Sequence, residues 1–467
     1  MQHPNKVALI HKGEKLLFSQ LKKKVESSLN LLDHLNVSND APVLMLHPLS
    51  HDLLAMVLAL MGRGNPLVFV EEWTRFSDLK QCVKQTDCKY MLCNWKLNIL
   101  RTFVPWASGL KRLPINANSV SEPFDLKEFD KQRSALISFS SGSSGQPKSI
   151  VRTQGNLHAQ FEALSKVIVR NEQSVMCTNF AAVILLNLGL GIGTLISENI
   201  RLSNLAKSDF KGLYEELKKY SVSNLAFSPF LMRNLANIIE QKNWERLKLK
   251  QIICGGSPVY PSFVQSFESA FIVEEILLTY GSSEAEPIAH CRGEELKSNA
   301  QKNGLFIGKP VTEIECKLMD SDGTLFGPEK AFKAGEIVVS GEHVVTDYIG
   351  GKGQNNKLNI HGKTYHLCGD RAYFDENGAL FLLGQSRFED DIYENEKALY
   401  GIKGVKYITE FKGNVYLEVL SESNKAQVMD QIKTIRPSSK VICLQMPVDR
   451  RHKGKIKYAE LTYSKTI

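Results

Sequence analysis

The chain has no paired cysteines. Its nine are scattered through 467 residues without a CxxC spacing, and the tightest group, Cys82, Cys88 and Cys93, has the wrong intervals for a zinc site. A disulfide framework and a structural zinc module are thereby excluded, and such thiols fit a reducing cytoplasm as small buried apolar groups. Long hydrophobic runs are missing too. The opening MQHPNKVALIHKGEKLLF carries no apolar run after a basic start, so no secretion signal is expected. The most apolar stretch, Ala181 to Ile196, is short for a membrane span and is broken by Asn187 and three glycines. It reads as buried core beside a pocket. Repeats, low-complexity tracts and aromatic-rich nucleic-acid modules are absent. The formal charge of +8 therefore points to phosphate-bearing small molecules or an acidic protein partner, not to nucleic acid.

What is present is an ordinary globular balance, 43% hydrophobic and 23% charged residues, in a chain too long for one core. Short apolar runs such as Pro42 to Leu46, Pro66 to Val70 and Ser134 to Phe139 read as buried strands. Asp52 to Met61 and Leu213 to Lys219 have helical apolar spacing. Strand and helix in alternation argue for an α/β fold, layered and rich in parallel sheet. From about Ala331 to Leu383 the pattern turns to short strands and turns, a small β-barrel-like sublobe. A boundary falls near Gly384, giving a large domain over 1–384 and a small α+β domain over 385–467.

Four stretches carry chemistry. Ser140, Ser141, Gly142, Ser143, Ser144 and Gly145 lead through Gln146 and Pro147 to Lys148, directly after an expected strand. Small residues let backbone N–H groups converge on a polyphosphate, hydroxyls add donors, and Lys148 supplies a compact positive charge. The spacing is not that of a P-loop. Next come Tyr280, Gly281, Ser282, Ser283 and Glu284. A flat tyrosine stacks on a purine, Gly281 permits a tight turn, Ser283 can donate to a phosphate, and Glu284 offers hard oxygens to Mg²⁺. Upstream, Gly255, Gly256 and Ser257 form a second glycine turn suited to the edge of an adenine ring. The third stretch, Cys368 to Asp370, holds a carboxylate able to accept both hydroxyls of a ribose. The Asp375 to Gly378 segment beyond it reads as a hairpin turn. The fourth runs from Pro447 to Lys455, where a lysine after glycine can meet charge developing between an α-phosphate and an acyl oxygen.

In this order the four stretches resemble the superfamily of acyl-CoA synthetases, peptide-synthetase adenylation domains and luciferases, over nearly the whole length from Gly62 to Lys455. The resemblance implies a large N-terminal domain and a small mobile C-terminal one that rotates between two half-reactions. It implies that Ser140 to Lys148 hold the β- and γ-phosphates of ATP, Tyr280 the adenine, Asp370 the ribose and Glu284 the Mg²⁺. Lys455 then drives formation of an acyl-AMP. The closest subgroup resembled is the β-lactone synthetases of bacterial olefin biosynthesis and their fatty-acid-ligase-like relatives. Its strings here are Tyr280 to Pro287, His343 to Tyr348, Tyr365 to Asp370 and Pro447 to His452.

Two departures stand out. Where the superfamily has Gly-Arg at the hinge this chain has Gly384-Gln385, with Arg387 two residues on as a compensating contact to the ribose. After it, Phe388 to Tyr393 runs at once into a helix-like Glu394 to Tyr400, so the family's hinge-proximal loop, which helps form the pantetheine tunnel, is shortened. The acyl pocket is expected around Phe180 and Ala181, with Gly255 at its edge. An alanine at 181, in place of the aspartate of amino-acid-activating relatives, disfavours an ammonium substrate and favours an apolar fatty or aryl acid. The acceptor stays open at this level: coenzyme A, an acyl or peptidyl carrier protein, or the substrate's own 3-hydroxyl. A catalytically weak nucleotide-binding relative is a further alternative, against which the joint presence of Lys148, Glu284, Asp370 and Lys455 argues.

Overall fold

The computed structural model describes residues 3–70, 74, 76–115, 130–141, 147–171, 173–201, 207–349, 354–388, 391–449 and 454–461. Two compact units are present, and each is built from pieces distant in sequence. The first comprises Met1–Val222, Ser283–Glu286 and Gly341–His366; the second comprises Ser223–Ser282, Pro287–Ser340 and Leu367–Ile467.

In the first unit, strands Val43–Leu46, Leu67–Phe69 and Tyr90–Cys93 lie parallel in a seven-stranded sheet. They are the apolar runs expected to be strands. They bury side chains on both faces, as parallel strands covered by helices must. Helix His51–Arg63 packs one face, with Leu53, Met56, Val57 and Leu60 in the core. Ser50 caps its first turn, accepting from Leu53 N at 3.1 Å, and Gly64 ends it in the left-handed region at φ 83°. The expected strand at Ser134 is Ser134–Ser141, which turns back antiparallel into Pro147–Thr153. The apolar stretch from Ala181 resolves into helix Ala181–Leu190 and the fully buried strand Gly193–Ile196. Among the described residues no helix is long and apolar enough to cross a membrane.

In the second unit, strands Asn224–Phe227, Leu247–Gly255 and Phe271–Tyr280 run parallel, register Phe227 with Cys254 and Gly255 with Thr279, and end together. The sheet then becomes antiparallel through Ala289–Arg292, Leu305–Pro310 and Leu380–Gln385. Strand Leu380–Gln385 pairs with the far half of Lys363–Phe374, placing Asp370 opposite Gln385. The hairpin turn expected at Asp375 is there: Asp375 Oδ1 accepts from the N–H groups of Asn377 and Ala379 at 3.0 and 2.9 Å. Residues beyond 385 supply helix Ile392–Leu399 and a three-stranded sheet of Val405–Phe411, Asn414–Val419 and Lys440–Cys443. The mixed α/β architecture is the one the sequence pattern calls for.

Candidate active site

Two sets of residues gather, one in each unit. In the first unit the two strands put Ser140 opposite Lys148 and Ser141 opposite Pro147, so the described ends of the expected phosphate segment lie side by side. Gly142, Ser143, Ser144 and Gly145 lie outside the described residues, as do the side chains of Ser140 and Ser141. Lys148 Nζ donates to Asn356 Oδ1 at 3.5 Å. Arg152, from the same strand as Lys148, donates to Ser138 Oγ at 2.8 Å and to the carbonyl of Ser283, which holds the turn carrying Glu284. Val345 N donates to the Glu284 carbonyl at 2.7 Å, fixing that backbone from the other side. His366 is 2% exposed; burial pushes its imidazole pKa down, and the neighbouring Glu284 opposes that while Lys148 adds to it. Lys148, Glu284 and His366 thus share one electrostatic neighbourhood. No group of three or more potential metal ligands exists among the described residues. A single buried carboxylate suits Mg²⁺, which takes one or two protein oxygens and completes its shell from phosphate and water.

In the second unit the ends of the parallel strands open into a pocket lined in part by Ser257, Tyr280, Asp370, Gln385 and Lys455. The floor depends on close backbone approach. A Cβ on Gly255 would sit 2.2 Å from Thr279 Oγ1, and Gly256 adopts φ 84°, so glycine is required at both. Ser257 Oγ is buried without a hydrogen-bond partner among the described residues, a polar atom that a ligand's ring nitrogen can satisfy.

Tyr280, at the end of Phe271–Tyr280, donates its hydroxyl to Asp370 Oδ2 at 2.7 Å. Burial, then the Asp370 charge, holds the phenol pKa far above its ordinary value, so Tyr280 is a donor. Burial raises Asp370 as well, and Lys455 and the Tyr280 bond oppose the rise. That opposition records Lys455 facing Asp370. The lysine is carried on a hairpin closed by the bridge between Val448 and Ile456, whose residues 450–453 lie outside the described ones. Asp449 pins the hairpin: its Oδ1 accepts from Gly454 N at 3.1 Å and Lys455 N at 2.8 Å, and its own N–H donates to the Lys455 carbonyl at 2.8 Å.

Behind the pocket stands a group that motif reading does not find. Glu396, on helix Ile392–Leu399, is 2% exposed and accepts from Tyr260 and, at 2.7 Å, from Tyr458. Burial pushes its carboxyl up to about 7, held back by those bonds. Tyr393, Glu396 and Tyr458 all reach the pocket wall. Tyr260 and Tyr458 lie 136 and 62 positions from Glu396, so no local pattern signals the cluster.

Other expected residues fall elsewhere. Gln385 forms wall of the pocket, whereas Arg387 is exposed, folds over the Phe388 ring at 4.9 Å and donates to Gln385 Oε1 at 3.0 Å. Six residues, 386–391, separate strand Leu380–Gln385 from helix Ile392–Leu399. Phe180 precedes helix Ala181–Leu190 as its cap residue, half-buried like Ala181.

Comparison with known proteins follows the same lines. The model of the family described as AMP-binding enzyme matches residues 1–349. The 4-coumarate--CoA ligase-like 9 of Arabidopsis thaliana is 23% identical, over 96% of this chain and 85% of the relative. The olefin beta-lactone synthetase of Stenotrophomonas maltophilia is 24% identical, over 73% of this chain and 67% of the relative. Among solved structures, the O-succinylbenzoate coenzyme A synthetase of Bacillus subtilis in complex with AMP superposes with a TM-score of 0.78 at 16% identity, covering 99% of this chain and 97% of that one.

Proposed function

Because this chain belongs to the AMP-binding enzyme family, we propose that it activates an apolar carboxylic acid with ATP, forming acyl-AMP and releasing pyrophosphate. One observation carries the reading: Tyr280, Asp370 and Lys455, from three distant stretches, line a single pocket. An acid oxygen bonds to the α-phosphorus as the bond to the pyrophosphate oxygen breaks, and the leaving group takes the electron pair. Asp370 accepts from the ribose hydroxyls, Tyr280 offers its ring to adenine, and Gly255, Gly256 and Ser257 contact the ring edge. Lys455 neutralises charge growing between phosphate and acyl oxygens, a contact strongest in the transition state. In the first unit, the loop from Ser140 to Lys148 and Ser283 serve the outer phosphates, and Glu284 would hold Mg²⁺, which would screen the polyphosphate. Residues 385–467 act as the small domain that carries Lys455 in and out.

The acid is fatty or aryl, bound against Phe180 and Ala181, where no carboxylate stands ready for an ammonium. The second half-reaction passes the acyl group to a thiol, of coenzyme A or of a carrier protein. The short connection at 386–391 favours a second reading. A 3-hydroxyl of the substrate would attack the acyl carbon, close a β-lactone and expel AMP, with no pantetheine arm to admit. The olefin beta-lactone synthetase relative is consistent with it. The enzyme would work in the cytoplasm, where ATP and thiols are available. Carboxylate-dependent exchange of pyrophosphate into ATP over a panel of acids tests the first half-reaction. Failure of every acid to support exchange would overturn it.

A further inference from the structure

Helix Trp95–Thr102 in the first unit presents an apolar stripe to solvent. Trp95, Ile99 and Phe103, the last in the turn after the helix, are 64%, 51% and 79% exposed. Successive residues four apart advance by only about 40° round a helix, so the three share one side. Of the nine large apolar side chains exposed among the described residues, these three fall within nine positions and the rest are scattered.

The stripe is held out rigidly. Arg101 donates to the carbonyls of Ser108 and Leu110 at 3.1 and 2.6 Å and closes the loop that follows onto the helix. Beneath it Ala107 and Leu110 are buried, with Leu97, Val104 and Trp106 packed against the same core cluster. Phe103 is thus displayed by a fastened turn.

The segment that carries the stripe is basic, and the exposed Asp87 just precedes it. Between Lys89 and Ile115 the sequence has Lys89, Lys96, Arg101, Lys111 and Arg112 and no acidic residue. Lys89, Lys96, Lys111 and Arg112 are exposed. Lys96 Nζ lies 5.7 Å from the Trp95 ring centroid. Lys111–Arg112 is the edge strand beside Tyr90–Cys93, and Arg112 Nε donates to the Cys93 carbonyl at 3.3 Å, two residues before Trp95.

Exposed tryptophan and phenylalanine flanked by lysine and arginine, with no acid among them, match the headgroup region of an anionic bilayer. There the rings enter the acyl boundary and the cations stay with the phosphates. A protruding stripe fits such a soft surface without needing a complementary groove.

We propose that Trp95, Ile99 and Phe103, with their basic flank, dock the protein on an anionic lipid surface. The contact lies in one unit and does not depend on the reaction proposed above. It is peripheral and reversible, since one short helix and a few cations bind weakly.

The test is sedimentation of the full chain with phosphatidylcholine vesicles, with or without about a third phosphatidylglycerol, at low and high salt. Each basic residue near an anionic surface contributes roughly fivefold in partitioning. Binding to the anionic vesicles should exceed binding to the neutral ones by at least about tenfold and should fall with salt. The double variant Trp95→Ser/Phe103→Ser should lose it, and Lys96→Glu/Lys111→Glu should lose the anionic preference. All four substituted positions are exposed, so thermal unfolding and pyrophosphate exchange in vesicle-free buffer should match the parent. Equal binding to both vesicle types, or binding that survives the Trp95/Phe103 change, overturns the proposal. So does a concentration-dependent dimer that Phe103→Ser abolishes, because a second copy would then cover the stripe.

Discussion

The hydroxyl of Tyr280 and the carboxylate of Asp370, ninety positions apart in the chain, are joined by a 2.7 Å hydrogen bond inside one pocket. The bond orients a buried acceptor, so a ligand hydroxyl would meet a preorganised carboxylate. Asp370→Asn should raise the KM for ATP in pyrophosphate exchange about tenfold to a hundredfold, the cost of a hydrogen bond to a charged group. Tyr280→Phe keeps the ring and should cost about tenfold at most. An unaltered KM in D370N would remove Asp370 from the nucleotide site.

Lys455 is placed by Asp449 through two backbone N–H groups. Lys455→Ala should lower kcat for adenylation about a hundredfold to a thousandfold, as removal of one preorganised charge contact does. Asp449→Ala leaves the lysine present but loosely held, so its loss should be smaller and in the same direction. AMP affinity, followed by calorimetry, should stay within a few-fold in both. If K455A turns over like the parent, the lysine has no role in this step.

Glu396 makes stability depend on pH. Its carboxyl rises from 4.5 to about 7, so across that window the folded chain keeps a proton that the unfolded chain has released. The stabilisation is full below about pH 4.5, declines as pH rises and is gone above about pH 7. Glu396→Gln should flatten this slope in urea unfolding measured from pH 5 to 8. Parallel profiles for the two proteins would show that another group sets it.

A glycine-specific clash offers a structural check. With Thr279 Oγ1 where a Cβ on Gly255 would go, Gly255→Ala forces the two strand ends apart. The expected loss is about 1–3 kcal/mol in unfolding free energy, with weaker nucleotide binding. A G255A protein as stable and as tightly binding as the parent would show that the strand ends are not in contact.

The second half-reaction separates by product. Given a 3-hydroxy acid, ATP and no thiol, a lactone-former should release AMP stoichiometrically with acid consumed. A thiol ligase should stall at acyl-AMP until coenzyme A or a loaded carrier is added. Mass spectrometry of the acyl product decides between them.

Much of this was legible in the sequence because glycine, serine and isolated charges after apolar runs mark strand ends, where backbone must approach a ligand. The strands of the parallel layers and the Tyr280 turn were read that way, whereas Asp370 and Lys455 were singled out as a carboxylate and a lysine beside glycines, and the structure sets all three on one pocket. Glu396 was not legible: on a short helix it reads as one more solvated acid, and only tertiary packing shows Tyr260 and Tyr458 closing on it. The composition of the two units was hidden for a similar reason. Segments 283–286 and 341–366 join the first unit through pairings such as Asp347 with Val151, which no local pattern announces.

Arg233 bears on how such a protein tolerates drift. Its side chain is 8% exposed, its guanidinium lies 4.8 and 5.5 Å from the Phe263 and Tyr400 ring centroids, and it donates to the carbonyls of Val405 and Lys406. A side chain that grips main-chain oxygens is indifferent to what those two residues carry. A saturation library should therefore accept varied side chains of suitable bulk at position 406 while rejecting nearly every replacement at 233, lysine included, because an ammonium lacks the planar fork that reaches two carbonyls beside the rings.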